Sequence, residues 1–412
     1  MNKHLIRKYA KLIVQKGINI KNNQTVTISI SIDQGEFAKY LAEECYKAGA
    51  SRVDFEWTYQ PLTKINYKYR TLESLSKIED WQIEKMKLAV KEFPCRIVIL
   101  SEDPNGLAGI DKQKLHQARI NTYPIKKPYN DQLENRQQWC IAAVPSYDWA
   151  KKVFPNLSKS RAYEKLWEEI LNCCRVTKDN DPLKEWDNHN KNFLERCYWL
   201  NSRKFDTLIY KSKNGTDFKV GLIPEAHWCG GGEYTIQGNY FNPNIPTEEI
   251  FTTPKKGMAE GKLVATKPLS YQGQLINEFY IVFKDGKAVE WDAKVGKDVL
   301  TNMLTLDECA SYLGEVALVP KNSPISNSNI LFYETLFDEN ASCHVAVGAG
   351  FCDAIDGFEN KTLEECQALG VNDSMSHVDF MIGSDDLTII ALKNGVETVI
   401  FKDGNWAFEP EI

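Results

Sequence analysis

Two of the chain's six histidines stand beside carboxylates in strand-like segments, one in Asp338-Glu339-Asn340-Ala341-Ser342-Cys343-His344 and one in Ser376-His377-Val378-Asp379-Phe380-Met381. In an extended strand, side chains alternate faces, so His377 and Asp379 point one way and Val378 and Phe380 the other. Such a pair brings a nitrogen and an oxygen ligand towards one point and leaves the opposite face for packing. His344 opens the apolar run His344-Val345-Ala346-Val347-Gly348, which reads as a second strand feeding the same cleft. Mixed imidazole and carboxylate ligands favour zinc, cobalt, manganese or iron over calcium, which prefers oxygen alone.

Further acids stand where such a cleft could recruit them. Glu315 heads the apolar run Val316-Ala317-Leu318-Val319, where an unpaired carboxylate is costly to bury. Glu248 and Glu249 follow the proline-stiffened Asn242-Pro243-Asn244-Ile245-Pro246-Thr247. Gly348-Ala349-Gly350 lacks the third glycine of a dinucleotide loop. Asp353 stands in its place, and an acid at a helix start repels a pyrophosphate.

The elements that must position these groups are legible from periodicity. Helical spacing over 4–16 ends at Gly17, Thr25–Ile30 alternates as a strand, Glu36–Lys47 reads as a helix and Arg52–Trp57 as the next strand. A helix at Trp81–Glu92 and strands at Arg96–Leu100 and Gln138–Val144 complete an open α/β layer. Helical stretches at Arg161–Cys174 and Pro182–Leu200 form a connector. Beyond Asn201 the texture changes to short strands and tight turns, with Asp285-Gly286, Asn394-Gly395 and Asp403-Gly404 as hairpin signals. A helix or two is expected near Val299–Leu313. The fold class is therefore an N-terminal α/β domain with a largely parallel sheet over 1–190, connector included. An α+β domain over 191–412, with a mostly antiparallel sheet, carries the metal site.

With 412 residues, 43% hydrophobic and 26% charged, the chain has an ordinary globular composition and room for two cores. Its net charge of -6 argues against a nucleic-acid partner held by bulk electrostatics. Arg7, Lys8 and Lys11 interrupt the apolar residues near the start, and no run approaches the roughly 18 apolar residues of a membrane span. A cytoplasmic protein without a membrane partner is expected. The eleven cysteines show no C-x-x-C pair, so most are expected to be buried free thiols.

Four blocks in fixed order carry a family resemblance: Pro246-Thr247-Glu248-Glu249, Leu313-Gly314-Glu315-Val316-Ala317-Leu318-Val319, Leu336 to His344, and Asn372-Asp373-Ser374 to Gly383. Together they resemble the aminopeptidase T and aminopeptidase S family of dinuclear metallopeptidases over essentially the full length. The resemblance implies a homodimer whose C-terminal domain holds two divalent ions, zinc, cobalt or manganese. The metal ligands would be Glu249, Glu315, His344, His377 and Asp379, with Glu249 or Glu315 bridging, and the substrates short peptides cleaved at the N-terminus. Glu248 and Glu339 are candidates for the general base by position.

The family places a tyrosine seven residues after the first histidine, and this chain has Phe351 there. A phenol can ligate a metal or donate to an oxyanion, and phenylalanine does neither. A second expectation follows from that departure: a family member with weakened or lost catalysis, acting as a metal- or peptide-binding protein.

Overall fold

The computed structural model describes residues 2–271 and 273–410, which form two compact units. One comprises Met1–Trp186 with Gly232–Pro246, the other Asp187–Gly231 with Thr247–Ile412. Among the described residues, no helix is long and apolar enough to cross a membrane.

The first unit is built on a five-stranded parallel sheet, in the order Asn244–Ile245, Trp139–Ala143, Cys95–Leu100, Thr25–Ser31, Arg52–Thr58. Alternation decides which face is buried: Val26, Ile28 and Ile30 are fully enclosed, whereas Thr25, Thr27 and Ser29 are half-buried. The helices expected from periodicity occur as Lys3–Leu12, Gly35–Lys47, Asp80–Glu92, Lys159–Cys173 and Pro182–Arg203. One long helix has no counterpart in the sequence reading. Lys112–Leu133 contains Pro124 and Pro128, each of which removes a hydrogen-bond donor and lowers helix propensity by about 3 kcal/mol. Its start is fixed by the Asp111 side chain, which accepts from the Lys114 amide, and by burial of Leu115 and Ala118.

The second unit stacks two sheets. The larger has nine antiparallel strands, and its three tight hairpins fall at the expected dipeptides. In the Asn394-Gly395 turn both residues have positive φ, 51° and 80°, as the mirror-image turn that suits strand twist requires. The smaller sheet runs in the order His377–Met381, His344–Gly348, Leu313–Leu318, Ile250–Thr252, Cys229–Gly230, all antiparallel. Only one helix, Lys297–Leu304, forms in the stretch where one or two were expected; turns follow it, and Leu313 already begins a strand.

Val316, Leu318, Val345, Val347, Val378 and Phe380 share one hydrophobic core with residues of the larger sheet such as Leu208 and Phe279. The Phe279 and Phe380 rings meet at 5.6 Å. One face of the small sheet is thus committed to packing. The residues alternating with these, Glu315, Ala317, His344, Ala346, His377 and Asp379, form the other face.

Candidate metal centre

Register brings the acids and histidines together. Glu315 pairs with Ala346, and Ala346 with Asp379, so the two carboxylates flank an alanine in one row across three strands. His344 and His377 occupy the same face, two residues along their strands on either side of that row.

Glu315 reaches this face because of a β-bulge. Leu313 pairs with Val347 but Glu315 pairs with Ala346, so Gly314 is the extra residue. Regular alternation would put Glu315 on the same side as Leu313, inside the apolar core. Gly314 is also where the strand is approached most closely, since a Cβ there would lie 1.9 Å from the Ala349 carbonyl oxygen. Only glycine fits.

Ligand atoms of Glu249, Glu315 and His344 all lie within 4.8 Å of one another, and so do those of Glu315, His377 and Asp379. The five candidate ligands therefore form two overlapping triads with Glu315 in common. His344 Nε2 is 3.1 Å from Glu249 Oε2, and His377 Nε2 is 3.1 Å from Glu315 Oε2 and 3.3 Å from Asp379 Oδ1. The other ring nitrogens are anchored on backbone carbonyls, His344 Nδ1 on Ser342 at 3.2 Å and His377 Nδ1 on Ala349 at 2.7 Å. A carbonyl only accepts, so both Nδ1 atoms carry hydrogen and both Nε2 lone pairs face carboxylates. This is how metal-binding imidazoles are oriented.

Electrostatics make the same demand. Burial pushes the Glu315 carboxyl up to about 7, although its hydrogen bond to His377 pulls the other way and Asp379 and Glu249 add repulsion. Burial alone would lower His344, yet Glu249, Glu315 and Asp379 raise it to about 9. His377 is likewise held well above the usual imidazole range by Asp379 and Glu315 against the effect of burial. Burial works against ionisation of Asp379, but the two histidines bring it down to about 2. Glu339 is raised well above the carboxylate range by burial, then by Asp379, Glu249 and Glu315. So much buried negative charge needs a cation. Asp379 Oδ1 is buried without a hydrogen-bond partner, and the donor set mixes nitrogen with oxygen, so the residues present fit a divalent ion such as zinc, cobalt or manganese.

The supporting groups were less visible in the sequence. Asn340 is fully buried, and its Oδ1 accepts from the Glu248 amide at 2.6 Å while Nδ2 donates to the Leu336 carbonyl at 3.1 Å. It thereby ties the Thr247-Glu248-Glu249 segment to the Asp338–His344 block. Glu248 itself points towards His189, with Oε2 3.9 Å from Nε2. Asp338 accepts from the Phe332 and Glu334 amides at 2.7 and 3.1 Å and shapes the turn before the 3-10 segment Glu339–Ala341. The only sequence signal for Asn340 is its place between two acids and His344. Phe351 does stand at the site, its ring 5.0 Å from that of His377 and 5.2 Å from that of Phe251.

Comparison with known proteins gives a consistent picture. A family model described as thermophilic metalloprotease (M29) matches residues 2–406. The chain is 38% identical to Aminopeptidase AmpS of Bacillus subtilis (strain 168), covering 97% of this chain and 98% of that protein. It is 35% identical to Aminopeptidase T of Thermus thermophilus, covering 98% of each. Among solved structures, wild-type AmpT from Thermus thermophilus superposes with a TM-score of 0.90 at 34% identity, covering 98% of this chain and 100% of that one.

Proposed function

The chain belongs to the thermophilic metalloprotease (M29) family and is a peptide hydrolase, and from that premise we propose that it removes N-terminal residues from short peptides with two divalent metal ions. Residues 191–412 form the catalytic domain in this reading, and the working unit is a homodimer. The pair of ligand triads sharing Glu315 is the observation that carries it. Glu249 and His344 would hold one ion, His377 and Asp379 the other, and Glu315 would bridge. When bound, the ions supply a water of lowered pKa and polarise the scissile carbonyl.

The remaining steps fall to the chain's own groups. Ala349 and Ser342 fix the imidazoles through their carbonyls, so the ligands are oriented before substrate arrives. Glu339 is the general base in this proposal. Its carboxyl binds a proton readily at neutral pH, which suits a group that takes a proton from water and passes it to the departing amine. Glu248 is engaged elsewhere, at His189, and has a structural role. The substrate's ammonium group is drawn by the acidic lining.

Phe351 supports a second reading, in which the protein binds metal and peptide but turns over weakly, because the ring beside His377 has no hydroxyl to offer. One experiment separates the two: hydrolysis of free and N-acetylated di- and tripeptides by chelator-stripped protein supplied with zinc, cobalt or manganese, alongside elemental analysis. Metal-dependent cleavage that requires a free N-terminus establishes the aminopeptidase. Two bound ions without cleavage favour the binding protein.

A further inference from the structure

Eight of the eleven cysteines are buried, and Cys229, Cys309 and Cys352 are half-buried. Burial pushes the thiols of Cys45, Cys95, Cys197 and Cys343 up to about 12, which keeps them from the reactive thiolate form. Cys309 differs in its neighbour. Lys256 Nζ lies 3.0 Å from Cys309 Sγ, and the same amine sits 4.9 Å from the centre of the Tyr312 ring.

We propose that Cys309 and Lys256 form a peroxide-responsive modification site, in which the oxidised sulfur is captured by the lysine amine as an S–N cross-link. In the first step the thiol takes one oxygen from a peroxide: Cys309-SH and HOOH give Cys309-SOH and water, with sulfur losing two electrons and the O–O bond breaking. In the second, the neutral amine attacks sulfur, an S–N bond replaces the S–O bond, and water leaves with the amine's proton. Sulfenic acids condense with nitrogen in this way when one is held close. Here the amine is already in contact, which makes capture effectively unimolecular.

Both ends are held by backbone hydrogen bonds. The Lys256 amide donates to the Gly370 carbonyl at 2.8 Å, the Cys309 amide to Asp307 Oδ1 at 2.8 Å, and the Cys309 carbonyl accepts from Asn372 Nδ2 at 2.9 Å. Asn372 Nδ2 also donates to the Gly348 carbonyl at 2.6 Å, and the Asn372 carbonyl accepts from the Gly350 amide at 2.7 Å. The modification therefore lies one residue away from the turn whose Ala349 carbonyl orients His377. Nothing in the peptidase reading uses either side chain.

The test is mass spectrometry of the full chain after graded hydrogen peroxide, with a sulfenic-acid trap in parallel and proteolysis to locate products. The expected result is loss of two hydrogens, a linked peptide pair containing Lys256 and Cys309, and reversal by dithiothreitol. Lys256→Met should yield trapped sulfenic acid at Cys309 and no linked pair. The proposal is overturned if wild-type protein accumulates trappable Cys309 sulfenic acid as fully as Lys256→Met without linkage. It is equally overturned if Cys229 or Cys352 is oxidised while Cys309 stays a thiol.

Discussion

Glu315 Oε2 and His377 Nε2 meet at 3.1 Å although their strands are not neighbours, because the His344–Gly348 strand runs between them. The small Ala346 side chain in the middle of the row leaves them room. A buried acid bridging two strands in this way is held for function at the expense of stability, and its removal separates the two effects.

Glu315→Gln tests that separation. The folded-state value of about 7 lies above the ordinary 4.5, so the native protein binds the extra proton, and the stability it confers is complete below about 4.5 and lost as pH rises through 7. Chelator-stripped wild-type protein should lose on the order of a few kcal/mol over that window, and the variant should lose less. Denaturant melts at pH 5 and pH 8 measure it. Identical losses in both proteins would refute the burial of Glu315.

Metal affinity should rise with pH. Glu315 near 7 and His344 near 9 both carry protons at pH 6 in stripped protein, and each must give its proton up to become a ligand. Calorimetric titration with zinc or cobalt in buffers of different ionisation enthalpy should show proton release at pH 6 that diminishes towards pH 9. Affinity that is flat across that range would remove these two residues from the ligand set.

Phe351→Tyr should gain activity. The ring already lies against His377, and one added donor to a developing oxyanion is worth roughly 2.7–4 kcal/mol, or about 100- to 1000-fold in kcat. Comparison of kcat and of metal content between the two proteins decides. Unchanged values for both would mean that the centre is built around phenylalanine.

Asn340→Ala should damage both stability and the centre. It leaves the buried Glu248 amide without its acceptor, at about 1–3 kcal/mol, and frees the segment that presents Glu249. Lower thermal stability together with weaker metal binding is expected. A variant that melts early yet binds metal at wild-type strength would show that Asn340 braces the fold alone.

Local pattern carried much of this into the sequence. His377 and Asp379 are two residues apart, a strand alternates every second residue, and the structure places them on one face as that period requires. The three hairpins were equally legible, since their dipeptides leave little conformational choice. Longer-range arrangements were not. The two-residue strand Asn244–Ile245 joins the parallel sheet by pairing with Trp139–Ala143, roughly a hundred positions earlier, and has too few residues to show a period. The helix Lys112–Leu133 contradicts its own prolines. Asn340 acts through a backbone amide, and no side-chain type betrays that.

The bulge at Gly314 makes the chemistry depend on the length of the chain as well as on its composition. Deleting that one glycine would keep every acid and histidine in the sequence, yet shift the strand's phase by a step and turn Glu315 from the cleft into the hydrocarbon side of the sheet. A chain so shortened would retain all five candidate ligands by name while no longer presenting them together. A homologue with an intact motif and a one-residue gap before its glutamate is on this reasoning a scaffold without a centre.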